Sequence, residues 1–246
     1  MILLISGHKS DRGLLRENNE DSLFVNDKVG VYIIADGMGG HNGGEIASSI
    51  AVTNLGNVLS QRLKVNKDSD IGSITQKALQ ETNKEIILRR KNHVELMNMG
   101  TTLVLSIFFN NIFYFSHLGD SRAYLYKKES KLIQLTCDDS LVMEMVKSGM
   151  ITDVEARTHN LKHIVTKYLG SENFAVPEIQ QCYVGQEDCI ILCSDGLTNL
   201  LEDEEIELAI RENISKGPQT SCNILVDKAN RKGGDDNITV IIIQNN

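Results

Sequence analysis

Proline is scarce in this chain of 246 residues: only Pro177 and Pro218 occur, and no low-complexity tract separates two halves. The sequence is therefore read as one domain over 1–246, a length that suits one large domain. Positive charge is also in short supply. A net charge of −8 argues against a nucleic-acid protein, which carries a basic face. It leaves room for a small anion-binding pocket, because net charge does not set the local field. Long apolar runs are missing too. Met1-Ile2-Leu3-Leu4-Ile5 is far too short for a membrane span or a signal-peptide core, and no basic segment precedes it. It reads as a first strand over 2–6, and no membrane partner is expected. Closely paired thiols are absent: the five cysteines, Cys137, Cys182, Cys189, Cys193 and Cys222, form no C-x-x-C. An odd count of this kind suits reduced thiols and predicts a cytoplasmic location.

What the chain does have is 41% apolar residues, enough for a sizeable core, and one unusual stretch. The apolar run Val31 to Ala35 reads as a buried strand. It ends on Asp36, and Gly37, Gly39, Gly40, Gly43 and Gly44 follow at once. Glycine permits positive φ and close approach of backbone to a ligand. Beyond Glu45, the spacing of Ile46, Ile50, Ala51, Leu55 and Val58 predicts an amphipathic helix. A dinucleotide loop fails here, since the sixth position counted from Gly37 is Asn42 rather than glycine. An ordinary glycine-rich turn remains open on this stretch alone.

Elsewhere, the polar run Ser10 to Ser22 holds Arg16 and the pair Glu20-Asp21. Asn26-Asp27-Lys28 reads as a hairpin turn that sets Glu20-Asp21 beside Asp36 at one end of adjacent strands. Residues 60–70 read as a surface turn, including Asp68-Ser69-Asp70, and a helix is predicted from Ile71 to about Arg90. Leu103–Phe109, Ile112–Leu118 and Arg122–Tyr126 read as successive strands, with Asn110-Asn111 as a tight turn. Such strands imply an antiparallel sheet. A helix carrying Leu141, Val142, Met145 and Val146 stops at Gly149. Thr152-Asp153-Val154-Glu155 has the form of a capping box. A buried strand, Cys189 to Cys193, runs into Ser194-Asp195. Two helices and a last strand over 238–243, opened by Asp236-Asn237, complete the chain.

Carboxylates thus recur at strand ends: Asp36, Asp195 and Asp236. In antiparallel neighbours the end of one strand and the start of the next share an edge of the sheet. Gathered carboxylates repel unless protonated or bridged by cations. An all-oxygen set suits Mg²⁺ or Mn²⁺ rather than zinc. Two such ions about 3.5–4 Å apart activate a bridging water and bind a phosphoryl oxygen, and a guanidinium such as Arg16 matches phosphate bidentately. Scattered surface aspartates remain the alternative on spacing alone.

Six ordered segments narrow this: Arg16-Glu17-Asn18-Asn19-Glu20-Asp21, Asp36-Gly37-Met38-Gly39-Gly40-His41, Gly100-Thr101-Thr102, Gly119-Asp120-Ser121-Arg122, Ser194-Asp195-Gly196-Leu197-Thr198-Asn199 and Gly233-Gly234-Asp235-Asp236-Asn237. Together they resemble the motifs of the PP2C (PPM) metal-dependent protein Ser/Thr phosphatases, nearest the bacterial branch. The resemblance implies an α+β fold, a central antiparallel β-sandwich flanked by helices on both sides. It implies Mn²⁺ or Mg²⁺, two ions and a weaker third, and phosphorylated proteins of a bacterial Ser/Thr kinase as partners. By motif position Asp36 resembles the residue bridging both metals, and Gly37 a carbonyl ligand. Asp195 and Asp236 resemble ligands of the first metal. Glu20 resembles a ligand of the second through water, with Asp21 orienting water beside it. Asp120 with Asp195 resembles the third site, Arg16 the phosphate clamp, and residues 136–170 the flap.

The departures from the family pattern are specific. Met38 stands where animal members carry a histidine proposed as general acid, so the leaving group must be protonated from elsewhere, by water on a third metal or by His41, although a structural loop role suits His41 better. Asp139, Asn160, Lys162 and Lys167 differ from the flap pattern and bear on substrate preference. His8, His93, His117 and His163 read as structural or surface residues. No cysteine opens the C-x5-R spacing of thiol phosphatases, since Met143 and Asn199 stand sixth after Cys137 and Cys193. A phosphoprotein-binding module without turnover and a small-metabolite phosphatase are the rival readings. The first is disfavoured because no expected aspartate is lost.

Overall fold

Alternate residues of the 31–35 stretch part to opposite faces. Val31, Ile33 and Ala35 join one apolar cluster, and Tyr32 and Ile34 another. That period of two is the signature of a strand buried on both sides, and it organises the molecule. The computed structural model describes residues 4–39, 43–65, 70–128 and 131–246; Met1, Ile2, Leu3, Gly40, His41, Asn42, Asp68 and Ser69, singled out above, lie outside them. In chain order the elements are β1 (Leu4–Asp11), β2 (Asp21–Asn26), β3 (Val31–Met38), α1 (Gly43–Val65), α2 (Ile71–Lys91), β4 (Gly100–Thr101), β5 (Leu103–Phe109), β6 (Ile112–Leu118), β7 (Arg122–Tyr126), β8 (Leu132–Gln134), α3 (Leu141–Lys147), α4 (Asp153–Thr158), β9 (Gln180–Cys182), β10 (Cys189–Cys193), α5 (Asp195–Thr198), α6 (Asp203–Asn213), α7 (Pro218–Arg231) and β11 (Ile238–Asn245).

Two antiparallel sheets result, ordered β1-β11-β10-β7-β8 and β2-β3-β5-β6-β9, with β4 paired to β3. Their facing sides share one core of Tyr32, Ile34, Val104, Ile190, Leu192, Ile241 and Ile243. The outer side of the first sheet buries Cys189, Ile191, Val240 and Ile242 against Ile206, Ile210, Leu225 and Val226 of α6 and α7. The outer side of the second buries Ile33, Ala35 and Leu105 against Leu55, Leu59, Leu79 and Ile86 of α1 and α2. The layers are therefore helix, sheet, sheet, helix, as expected.

The differences from the sequence reading have physical causes. Helix α1 runs through 60–65, because Leu55, Leu59 and Leu63 extend one buried stripe at four-residue spacing. The surface turn predicted over 60–70 is therefore wrong for that part. Asp70 caps α2, accepting from Ser73 N at 3.3 Å and Ser73 Oγ at 2.6 Å. Strand β1 continues to Asp11, beyond the predicted 2–6. As an edge strand paired only to β11 it needs no apolar run. The short strands β8 and β9 also sit at sheet edges and carry no strong pattern. Asn110 and Asn111 take φ of 49° and 65°, the left-handed pair that a tight hairpin needs. The Thr152–Glu155 capping box forms as predicted.

Candidate active site

Hairpin register brings the first acids together: Asp21 pairs with Asp36 across β2 and β3. In the other sheet Cys193 pairs with Val240 across β10 and β11, so Asp195 just after one strand and Asp236 just before the other meet at one edge. Asp120 sits in the turn from β6 to β7, where the chain passes between the sheets. One cavity of about 480 Å³ is lined by Arg16, Glu20, Asp36, Gly37, Asp120, Asp195, Asp235 and Asp236. Residues separated by more than two hundred positions thus face one space.

Local bonding explains the motifs. The backbone of Asp36 is held on both sides: its N–H donates to Thr102 Oγ1 at 3.0 Å, and its carbonyl accepts from Thr101 Oγ1 and Thr102 N, each at 2.8 Å. Gly37 has no room for a side chain, since a Cβ there would stand 2.1 Å from Gly44 O and 2.7 Å from Glu20 O. A Cβ on Gly44 would stand 2.8 Å from Glu20 Cδ, so the two glycines let three backbones crowd at the lip. Asn237 stitches the 12–20 loop to β11. Its Oδ1 accepts from Glu20 N at 2.8 Å, and its Nδ2 donates to Arg12 O and Asn18 O at 2.9 Å. Asn199 Nδ2 donates to Asp195 Oδ2 at 2.8 Å.

Burial and mutual repulsion act strongly on these acids. Desolvation, then the charges of Asp21 and Asp195, hold the Asp36 carboxyl well above the usual carboxylate range. Desolvation followed by the Asp195 charge pushes Asp120 up to about 8. Asp195 is raised by desolvation and then by Asp236, and Glu20 chiefly by desolvation. Asp21 is pushed up to about 7, first by desolvation. Asp21 does not line the cavity. It lies behind it, accepting from Ser194 Oγ at 2.8 Å. Arg16 donates through Nη2 to Asp236 Oδ2 at 2.9 Å, so the expected phosphate clamp here neutralises an expected metal ligand.

Sequence reasoning missed several neighbours. Thr102, Asn199 and Asn237 lie inside the quoted motifs, but their support of Asp36, Asp195 and Glu20 is visible only in three dimensions. Lys162 and His163, from 136–170, also line the cavity. His163, which the sequence presents as a structural or surface residue, is exposed and faces the site. The 136–170 segment is fastened at its root by Arg122, which donates to Asp138 at 2.9 Å through Nε and 2.7 Å through Nη2. Ser140 bridges Val165, and Leu141 N donates to Ile164 O at 2.8 Å.

A profile described as protein phosphatase 2C matches residues 15–220. The chain belongs to the protein phosphatase 2C family. It is 36% identical over 241 residues to the serine/threonine phosphatase stp of Listeria innocua, covering 97% of this chain and 94% of that one. It is likewise 36% identical to protein phosphatase PhpP of Streptococcus pneumoniae, over 96% of each. The crystal structure of PstP/Ppp from Mycobacterium tuberculosis is similar with a TM-score of 0.89, 33% identity and 99% of each chain covered. So is the PstP catalytic domain in complex with two manganese ions, at a TM-score of 0.88 and 32% identity, covering 100% of this chain and 99% of that one.

The protein phosphatase 2C residues present here fit hard divalent cations. The donors are carboxylate and backbone oxygens. Asp195 Oδ1 and Asp21 Oδ1 are buried without a hydrogen-bond partner among the described residues, and such atoms call for a cation or a proton. No group of three or more Asp, Glu, His or Cys among the described residues is already closed into a ligand cage. Asp236 is turned to Arg16 and Asp21 to Ser194 instead.

Proposed function

We propose that this chain hydrolyses phosphoserine and phosphothreonine in proteins, using divalent cations held by Asp36, the Gly37 carbonyl, Glu20, Asp195 and Asp236. The observation that carries the reading is the convergence of these oxygens on one cavity with Arg16 at its edge. Two Mn²⁺ or Mg²⁺ ions in that place supply a nucleophile from water at neutral pH and draw charge off the phosphoryl group. Arg16, released from Asp236, binds the phosphate oxygens and orients phosphorus toward the acids. Asp21, one layer behind, orients water at the Glu20 side. Asp120 with Asp195 forms a weaker third cation position. Ser194 and Asn199 hold the carboxylates Asp21 and Asp195 in place, and Thr102 and Asn237 hold the backbone at Asp36 and Glu20.

Our reading takes 1–246 as one phosphatase domain, with 136–170 as a flap over the cavity. The substrates are phosphoproteins of a bacterial Ser/Thr kinase, and the setting is the cytoplasm. All five cysteines are unpaired, which supports a reducing compartment. Among the described residues no helix is long and apolar enough to cross a membrane. The test is Mn²⁺-dependent phosphate release from a phosphothreonine peptide, set beside sugar phosphates and a chelated control. Preference for the peptide is expected. Equal rates without added metal, or turnover of sugar phosphates alone, would overturn the reading.

A further inference from the structure

No residue placed in the site so far gives a proton to the departing serine or threonine oxygen, and His41, the candidate named from the sequence, lies outside the described residues. An alkoxide is a poor leaving group and needs a proton as the P–O bond breaks. Met38 lines the cavity, and its thioether has no proton to give. The cavity acids Glu20, Asp36, Asp120, Asp195, Asp235 and Asp236 either hold cations, which requires them ionised, or stand beside those that do. Arg16 is committed to Asp236 and, in the reading above, to the phosphate oxygens. One imidazole lines this cavity among the described residues, that of His163.

We propose that His163 is the general acid of the reaction, acting from the flap. This rests on the phosphatase reading above. The backbone around His163 is fixed rather than loose: Lys162 N donates to His159 O at 3.1 Å, Ile164 N to Leu161 O at 3.1 Å, and Leu141 N to Ile164 O at 2.8 Å. Val165, two residues on, bridges Ser140. The ring makes no hydrogen bond or ion pair within 4 Å among the described residues, so it is at liberty to meet a substrate oxygen. Its charge reaches Asp195 across the cavity and favours the ionised form of that acid. The carboxylates facing it are the six just named, and the cations facing it are Arg16 and Lys162.

Oxygen from water bonds to phosphorus while one of its O–H bonds breaks and releases that proton to solvent, and the bond from phosphorus to the seryl or threonyl oxygen breaks. The electron pair of that bond takes the imidazolium proton to give the free hydroxyl. Inorganic phosphate leaves, and neutral His163 regains a proton from solvent.

Leaving-group chemistry tests the assignment. Phosphothreonine needs protonation, whereas p-nitrophenyl phosphate releases a stable anion. With Mn²⁺ present, His163→Gln is expected to lose about 100-fold in kcat on a phosphothreonine peptide and far less on p-nitrophenyl phosphate. The wild-type alkaline limb of the peptide profile should disappear in the variant. In Mg²⁺-loaded protein, inorganic phosphate should shift the His163 ring resonances in NMR. Equal losses on both substrates, an unchanged peptide rate, or ring signals that ignore phosphate would each overturn the proposal. Failure of the wild type on both substrates would overturn the phosphatase reading instead.

Discussion

The sandwich edge and the 136–170 segment face the same cavity but are built by different means. At the edge, Asp36 and Asp195 adjoin strands buried on both faces, and Asp36 is locked by three hydrogen bonds to Thr101 and Thr102. The flap side is held at its root by the Arg122–Asp138 pair and beyond that by helix caps, a two-residue bridge and ion pairs such as Arg157–Glu202, whose side chains are 45% and 58% exposed. Cation chemistry needs ligands fixed to fractions of an ångström, and buried strands supply that. Contacts to a variable protein substrate tolerate a segment whose own fastening is worth less. The lesson is that the energetic cost of gathering acids is borne where packing is strongest.

Predictions that would break or sharpen this contrast can be ranked by size. Asp36→Asn should lower kcat by more than about 100-fold at any Mn²⁺ concentration, beyond the 10–100-fold cost of losing a supporting partner; steady-state kinetics with a metal titration checks it. Asn237→Ala should weaken Mn²⁺ affinity about 10- to 100-fold and lower stability by about 1–3 kcal/mol, because Glu20 N and two carbonyls lose their partner. Calorimetry and denaturant melts measure both.

Titration gives an intermediate effect. In chelated protein Asp21 and Asp120 hold protons up to about 7 and about 8, against an ordinary 3.8. The folded chain therefore binds more protons than the unfolded one across that window. This contribution to stability is complete below about pH 4 and is lost as pH rises through 7 and 8. Tm of the chelated protein should fall by several degrees over that range, and Mn²⁺ should remove most of the fall. A Tm that is flat or rising with pH would show that the acids are not crowded. The smallest effect is expected on the flap side. Arg157→Ala should cost less than about 1 kcal/mol in a melt, as exposed pairs do, while changing KM for phosphopeptides more than for p-nitrophenyl phosphate.

How much of this was legible beforehand follows from the same contrast. Strands buried on two faces write themselves as continuous apolar runs, so the apolar parts of β3 and β10, and the aspartates just beyond those runs, are legible in the sequence. The Asp21–Asp36 pairing followed from hairpin register. Edge strand β1 was cut short because only one neighbour and one face constrain its residues. The last turns of α1 are hard to read because Leu63 stands among Ser60, Gln61, Arg62 and Lys64 and carries the stripe there alone. Arg16 turned to Asp236, Asp21 behind the cavity and His163 facing it are matters of side-chain direction. No spacing encodes them, and the flap lacks the periodicity that would have placed its residues.

The central claim is that acids from both sheets share cations in one cavity. An anomalous-scattering map from crystals soaked in Mn²⁺ tests it most directly. The account predicts two strong peaks within coordination distance of Asp36, one also touching Asp195 and Asp236 and the other on the Glu20 side, with Arg16 moved off Asp236. Peaks confined to the surface, with Asp36 touching none, would contradict it.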